Sequence, residues 1–271
     1  MTIERMVQDG IEVADFLTKQ LNKNKIILVG ESWGSIVGLY MAHERPDLIY
    51  AYVGVAQMVN WQEDLFAGYS HVLDMARVAK NQEAITALTA LGMPPWHSVS
   101  KWPVYRKWER VFQAKLVTAP PAPMSISPEY GSPQERSQYE EADDFSFLHF
   151  WGRDLSGPLT QIDLPSLATD FRIPIFMIQG EEDMTASPVL AKCYFDAIKA
   201  PKKKFVVVAG TGHEPSATEL EAIFKVLTEQ VRPLAVNRSF SRICPSADCC
   251  KQAAALVENW PTAAPSCERP V

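Results

Sequence analysis

The sequence predicts an α/β protein: a mostly parallel sheet flanked by helices, with a helical cap inserted between its second and third strands. Three observations carry this expectation. Short apolar runs rich in β-branched residues, at 26–29, 50–55, 173–178 and 205–209, alternate with segments of helical period, the pattern that parallel sheets produce. The long interval from Val55 to Ile173 shows helical periods and no strand pattern. A Gly30-Glu31-Ser32-Trp33-Gly34 turn falls where the first apolar run gives way to a helix.

Taken in order, residues 2–21 place Ile3, Met6, Ile11, Val13, Phe16, Leu17 and Leu21 near the one-sided helical period, with Thr2 as the N-cap. A polar turn leads into residues 26–29, a continuous apolar run of the kind found in strands covered on both faces. The next helix runs through Met41 to about Glu44 and stops near Pro46, because proline cannot continue a helical ladder. Residues 50–55 form the second strand. In the insertion, residues 61–91 read as two helices and 102–116 as a third, whereas 119–133 is rich in Pro and Ser and reads as extended. The strand at 173–178 precedes a helical run at 188–199, in which Cys193 reads as a small buried apolar residue. After the strand at 205–209 and a further helical segment the period fades beyond Leu234, although residues 251–260 fit one short helix. These elements divide the chain into a first core segment with the serine turn (1–56), a helical cap (57–170), a second core segment (171–235) and a tail expected to be mobile (236–271).

Composition sets bounds on partners. With 271 residues, 47% of them apolar, the chain can bury one sizeable core. A net charge of −6 provides no basic footprint for phosphates, so nucleic acid is not expected as a partner. The apolar runs are far shorter than the roughly 20 residues of a membrane span, and the early acidic residues Glu4, Asp9, Glu12 and Asp15 do not suit a signal peptide; the expected location is cytoplasmic. Cys244, Cys249, Cys250 and Cys267 cluster near the C-terminus while Cys193 stands apart, which is no disulfide framework for the fold. None of these cysteines is paired with histidines at ligand spacing, so neither a metal nor a cofactor is expected.

The chemistry resides in three residues, each behind its own strand. A Gly-x-Ser-x-Gly pattern is weak alone, but at a strand-to-helix junction it describes a sharp turn that lifts a serine hydroxyl above the sheet edge. Small residues are expected at Gly30 and Gly34 because side chains there would collide with the neighbouring strand and helix. The amide of Trp33 would lie at the helix N-terminus, where unpaired N–H groups can stabilise an oxyanion. A serine hydroxyl needs a base whose orientation is fixed by an acid. Gly180-Glu181-Glu182-Asp183 follows the strand at 173–178, and Gly210-Thr211-Gly212-His213 follows the strand at 205–209, so Ser32, Asp183 and His213 all fall on the carboxyl edge where ligands bind parallel sheets. Taken singly, Asp183 could be an ordinary N-cap and His213 an ordinary loop histidine; Glu181 and Glu182 remain second choices for the acid. His43, His71, His97 and His149 follow no strand, although His149 remains a candidate for the pocket wall.

Together, Gly30 to Gly34 within residues 25–44, Tyr52-Val-Gly-Val-Ala-Gln57, Gln179-Gly-Glu-Glu-Asp183 and Gly212-His213 resemble the proline iminopeptidase-like branch of the α/β-hydrolases over about residues 2–234. The resemblance implies an α/β-hydrolase fold and a Ser32-His213-Asp183 triad that removes an N-terminal residue from short peptides through an acyl-enzyme. It also implies that acidic groups of the cap hold the substrate amine. Glu63, Asp64, Glu140, Glu141, Asp143 and Asp144 are the candidates, left open among themselves, with 140–144 reading equally as a solvated loop. Trp96, Trp102, Trp108 and Trp151 suit either an apolar pocket or plain packing.

The sequence departs from that pattern at its start: the strands and His-Gly-Gly-type loop that family members carry ahead of the first helix have no counterpart. The N-terminal part of the fold is therefore expected to be missing, as in a truncated form of a longer enzyme or a half that needs a partner. Trp33 would then act alone as oxyanion donor, and loss of one such donor costs ~100- to 1,000-fold in turnover. The strand at 26–29 would form an exposed apolar edge inviting self-association. The alternatives to the aminopeptidase are a small-ester carboxylesterase and a non-catalytic homologue acting as a binding module.

Overall fold

The computed structural model describes residues 2–122 and 127–240; the tail segment 241–271, including the short helix expected at 251–260 and four of the five cysteines, lies outside the described residues. Four strands form one wholly parallel sheet in the order β1 (Ile26–Glu31), β2 (Ile49–Val55), β3 (Ile175–Gly180) and β4 (Lys203–Val208). The strands run parallel because helical crossovers return the chain to the same end of the sheet: α2 (Trp33–Glu44) joins β1 to β2, and α8 (Pro188–Ala197) joins β3 to β4. Gly30 of β1 lies beside Gly54 of β2, and Gly54 beside Met177 of β3. The parallel register therefore aligns the carboxyl ends of all the strands that carry candidate residues.

Helix α1 (Ile3–Gln20) is capped by the Thr2 hydroxyl, which accepts from the Arg5 amide. Its packed stripe is Ile3, Val7, Ile11, Ala14 and Thr18. Val13, Phe16, Leu17 and Leu21, placed by sequence on the buried side, are exposed instead: Val13, Phe16 and Leu17 are rotated off the centre of that stripe, and Leu21 lies past the helix end as its C-cap. Helices α1 and α2 cover one face of the sheet, and Tyr52, Ile175 and Met177 belong to the core they share. The other face packs Val53, Val55, Phe176 and Ile178 against α9 (Ala217–Val226) and the π-helical turn Leu227–Val231, with α10 (Arg232–Phe240) following. β2 and β3 are buried along almost their whole length, as central strands require. β1 is not covered on both faces: it is an edge strand among the described residues, and Val29 keeps 44% exposure.

Between β2 and β3 the chain builds a helical layer over the carboxyl edge: α3 (Trp61–Val78), α4 (Gln82–Leu91), α5 (Trp102–Leu116), α6 (Pro133–Phe150) and the short α7 (Leu164–Leu167). α6 replaces part of what the sequence reads as loop. Ser132 and Glu135 cap it reciprocally, so the acidic run 140–144 is a solvated helix rather than a solvated loop. Cys193 on α8 is half-buried rather than buried. No described helix is long and apolar enough to cross a membrane.

Candidate active site

The strand-to-helix turn positions Ser32. Its backbone has φ 51° and ψ −127°, a left-handed conformation strained for a residue with a side chain. The strain is held by the Ser32 N–H donating to Val55 O at 3.0 Å and by Ser32 O accepting from the Ser35 amide at 2.9 Å and the Ser35 hydroxyl. The close approach behind this turn falls on one glycine. A Cβ on Gly30 would stand 2.6 Å from Gly34 O and 2.9 Å from the Ser35 Cα, whereas a Cβ on Gly34 would meet nothing within 4 Å. The expected collision therefore applies to Gly30 and not to Gly34. Trp33 opens α2, where backbone N–H groups lack intrahelical acceptors.

The structure brings Ser32, His213 and Asp183 together. Ser32 Oγ lies 2.9 Å from His213 Nε2, and His213 Nδ1 lies 3.1 and 3.0 Å from the two Asp183 carboxylate oxygens. Asp183 is buried, and its Oδ1 also accepts from the amides of Thr185 and Ala186 at 2.9 and 2.8 Å. Its Oδ2 accepts from Gln179 Nε2 at 3.3 Å. Burial pulls the His213 imidazole towards its neutral form, but the Asp183 charge and hydrogen bond outweigh this and raise its pKa to about 9. Of the alternatives for the acid, Glu181 is engaged elsewhere: its Oε2 accepts from the Gly210 amide at 3.3 Å. Asp183 does not cap α8 either, since Ser187 does.

A buried network ties the serine turn to the acid. Gln57 Nε2 donates to the Ser35 hydroxyl at 2.9 Å, the Gln57 amide donates to Gln179 Oε1 at 2.9 Å, and Gln179 reaches Asp183. Tyr52 places its hydroxyl 2.7 Å from Gln57 Oε1 and 2.8 Å from Ser35 O.

Ser32 opens onto a cavity of about 260 Å³ between the sheet edge and the cap. Trp61, Trp102, Tyr105, Phe147 and Trp151 contribute a nearly continuous aromatic wall, with Trp61 stacked on Trp102 at 6.1 Å and Phe147 on Trp151 at 4.9 Å between ring centroids. Trp96 and Trp108 are packing residues, and His149 stacks on Phe145 away from the lining. Of the cap acids named from sequence, only Asp64 lines the cavity; burial raises its pKa to about 7 against hydrogen bonds from the Ser187 and Val59 amides. Sequence reasoning passed over Glu109, which lines the same cavity while only 1% exposed, beside Arg106 and Thr185. Burial pushes its carboxyl up as well, opposed by the Arg106 charge. Its signal was present: Glu109 and Gln113 sit among Tyr105, Trp108 and Phe112 on the packed stripe of α5, where a solvated carboxylate does not belong. Among the described residues no His, Cys, Asp or Glu cluster could hold a metal ion.

A family model for the alpha/beta hydrolase fold matches residues 9–220. The chain is 25% identical over 233 residues to a probable aminopeptidase, YbaC, of Bacillus subtilis (strain 168), covering 86% of this chain and 73% of that protein. It is 24% identical over 220 residues to a proline iminopeptidase of Clostridioides difficile (strain 630), covering 79% and 68%. Among solved structures it superposes on VinJ with a TM-score of 0.54 at 18% identity, covering 86% and 75% of the two chains. It superposes on the proline iminopeptidase-related protein TTHA1809 from Thermus thermophilus with a TM-score of 0.50 at 16% identity, covering 88% and 72%. At such identities the structural likenesses speak to fold alone.

Proposed function

The chain belongs to the α/β-hydrolase fold family, and from that premise we propose that it is a serine hydrolase that cleaves amide bonds at peptide N-termini through an acyl-enzyme. The observation that carries this reading is the unbroken relay from Ser32 Oγ through His213 to Asp183, opening onto the cap cavity. In its neutral form His213 takes the hydroxyl proton on Nε2 as Ser32 attacks the carbonyl carbon. Asp183 holds the Nδ1–H and steadies the imidazolium that results. The Trp33 amide, at the positive end of α2, faces the developing oxyanion. His213 then returns the proton to the leaving amine, and water, deprotonated by the same imidazole, releases the acyl group.

The peptidase reading draws on the names of the two curated relatives, an aminopeptidase and a proline iminopeptidase. It also draws on the cavity: aromatic walls suit a pyrrolidine ring or another apolar side chain, and the carboxyls of Asp64 and Glu109 stand in the lining as acceptors for an ammonium group, beside Arg106 and Arg110. A second reading, a hydrolase of small esters, is favoured by one observation. Both carboxyls already accept hydrogen bonds from the protein itself, Asp64 from Ser187 and Glu109 from Thr185, which leaves an ammonium less to gain.

Turnover of proline and alanine amides with free and with acylated amines, set beside short-chain esters, separates the two. The peptidase reading expects amides with a free amine to be preferred by at least about tenfold, the size of one charge-assisted hydrogen bond. Indifference to blocking the amine, with faster ester turnover, rejects it.

A further inference from the structure

The buried polar side chains of two cap helices converge on one short segment of the core. On α3 and α5 the buried charged or amide side chains are Asp64, Glu109 and Gln113. Gln113 Oε1 accepts from the Met184 amide at 3.1 Å, Glu109 Oε1 accepts from the Thr185 hydroxyl at 2.7 Å, and Asp64 Oδ1 accepts from the Ser187 amide at 2.8 Å. Arg106 adds an N–H to the Thr185 hydroxyl at 2.8 Å and pairs with Glu109. This segment immediately follows Asp183, and its other two amides, of Thr185 and Ala186, are those that hold the Asp183 carboxylate.

Burying two carboxyls and an amide beneath a cap is unfavourable compared with packing apolar side chains there. What the polar groups provide is direction: each accepts a particular N–H or O–H of this segment, so the cap docks in one register and the segment has one path. A displacement of about 1 Å at a reacting group is enough to reduce turnover ~100-fold, and the His213 ring takes its orientation from Asp183.

We propose that Asp64, Glu109 and Gln113 are positioning residues, a brace through which the cap holds residues 184–187 and thereby fixes Asp183, with Glu109 acting through the Thr185 hydroxyl. Docking of the cap and alignment of the triad are then one event. The catalytic consequence rests on the serine-hydrolase reading; the mechanical link does not.

The test compares the wild type with Glu109→Ala, Glu109→Gln, Thr185→Val and the double variant Glu109→Ala/Thr185→Val. Three quantities are measured on samples of native circular dichroism: the rate of Ser32 labelling by an uncharged fluorophosphonate, hydrogen-exchange protection of residues 184–187, and the KM of amides with free and with acylated amines. Glu109→Ala and Thr185→Val are each expected to slow labelling ~10- to 100-fold and to lower protection in that segment. Glu109→Gln, which keeps an acceptor for Thr185, restores most of both, and the double variant is no worse than the single ones. Unchanged protection in Thr185→Val, an isosteric change that preserves packing, overturns the brace even if Glu109→Ala does not fold. So does a pattern in which Glu109 variants alter only the KM of substrates with a free amine, since Glu109 would then be a substrate contact. If the wild type resists labelling, the serine-hydrolase reading falls and the exchange comparison alone decides the brace.

Discussion

The backbone N–H of Gln57 donates to the side-chain carbonyl of Gln179 at 2.9 Å, joining residues 122 positions apart beneath the candidate site. The same Gln179 amide group donates to Asp183 and, at 2.8 Å, to Ala186 O. One fully buried side chain thus connects the loop after β2 to the loop that carries the acid. Gln179→Met keeps the volume and removes the acceptor, leaving the Gln57 N–H buried and unpaired. Denaturant unfolding should show a loss of about 1–3 kcal/mol, together with a fall in labelling of Ser32; a variant as stable as the wild type would contradict this role.

The pH dependence follows from His213. Proton abstraction requires the neutral imidazole, and with a pKa raised to about 9 the rate of Ser32 acylation should climb through neutrality and level off near that pH. Asp183→Asn removes the charge that raises the pKa, so the rise should move to lower pH while the maximum falls by up to ~10⁴-fold. Because the folded pKa exceeds the ordinary value of about 6.5, the pair stabilises the fold fully below that value and loses its contribution as pH rises through about 9. A rate profile flat from pH 6 to 10 would contradict this.

The two glycines flanking the serine turn should behave differently. Gly30→Ala sets a Cβ against backbone atoms of Gly34 and Ser35 that cannot move without opening the turn, and a loss of several kcal/mol is expected, at the upper end of single substitutions. Gly34→Ala enters open space within a helix and should change stability by less than about 1 kcal/mol. Thermal melts of the two variants check the contrast.

Glu219 carries a prediction of its own. It is buried at the start of α9, its Oε1 has no hydrogen-bond partner among the described residues, and burial first, then the Glu31 and Asp183 charges, raise its pKa to about 7. A carboxyl with a raised folded pKa binds protons more tightly when folded, so stability declines as pH rises from the ordinary carboxylate value to about 7. Glu219→Gln should therefore melt higher than the wild type at pH 8 by about 1 kcal/mol and much the same at pH 4. Equal differences at both pH values would show that ionisation is not the cause.

What could be read from the sequence depended on whether a local signal existed. Ser32, Asp183 and His213 each follow an apolar strand-like run, so their shared edge could be inferred from the sequence, and the parallel sheet followed from the alternation of strands and helices, whereas the strand order β1 to β4 had no local signal. Burial on α1 was misread because an approximate helical period cannot tell Leu17 from Ala14 without knowing which neighbour is present. The brace could not be inferred: Glu109 and Asp64 meet residues 184–187 only through the tertiary placement of the cap, and a short periodic window reports a helix face but not its partner. α6 was hidden by a charged, weakly periodic sequence whose clearest signal is the Ser132 to Glu135 capping box.

The most direct measurement is site-mapped covalent labelling. Exposed to a fluorophosphonate and digested, the folded protein should carry the adduct on Ser32 and on no other serine, and Ser32→Ala and His213→Ala should abolish it. A folded wild-type chain that remains unlabelled, or labels equally after Ser32→Ala, would contradict the assignment of Ser32 as nucleophile.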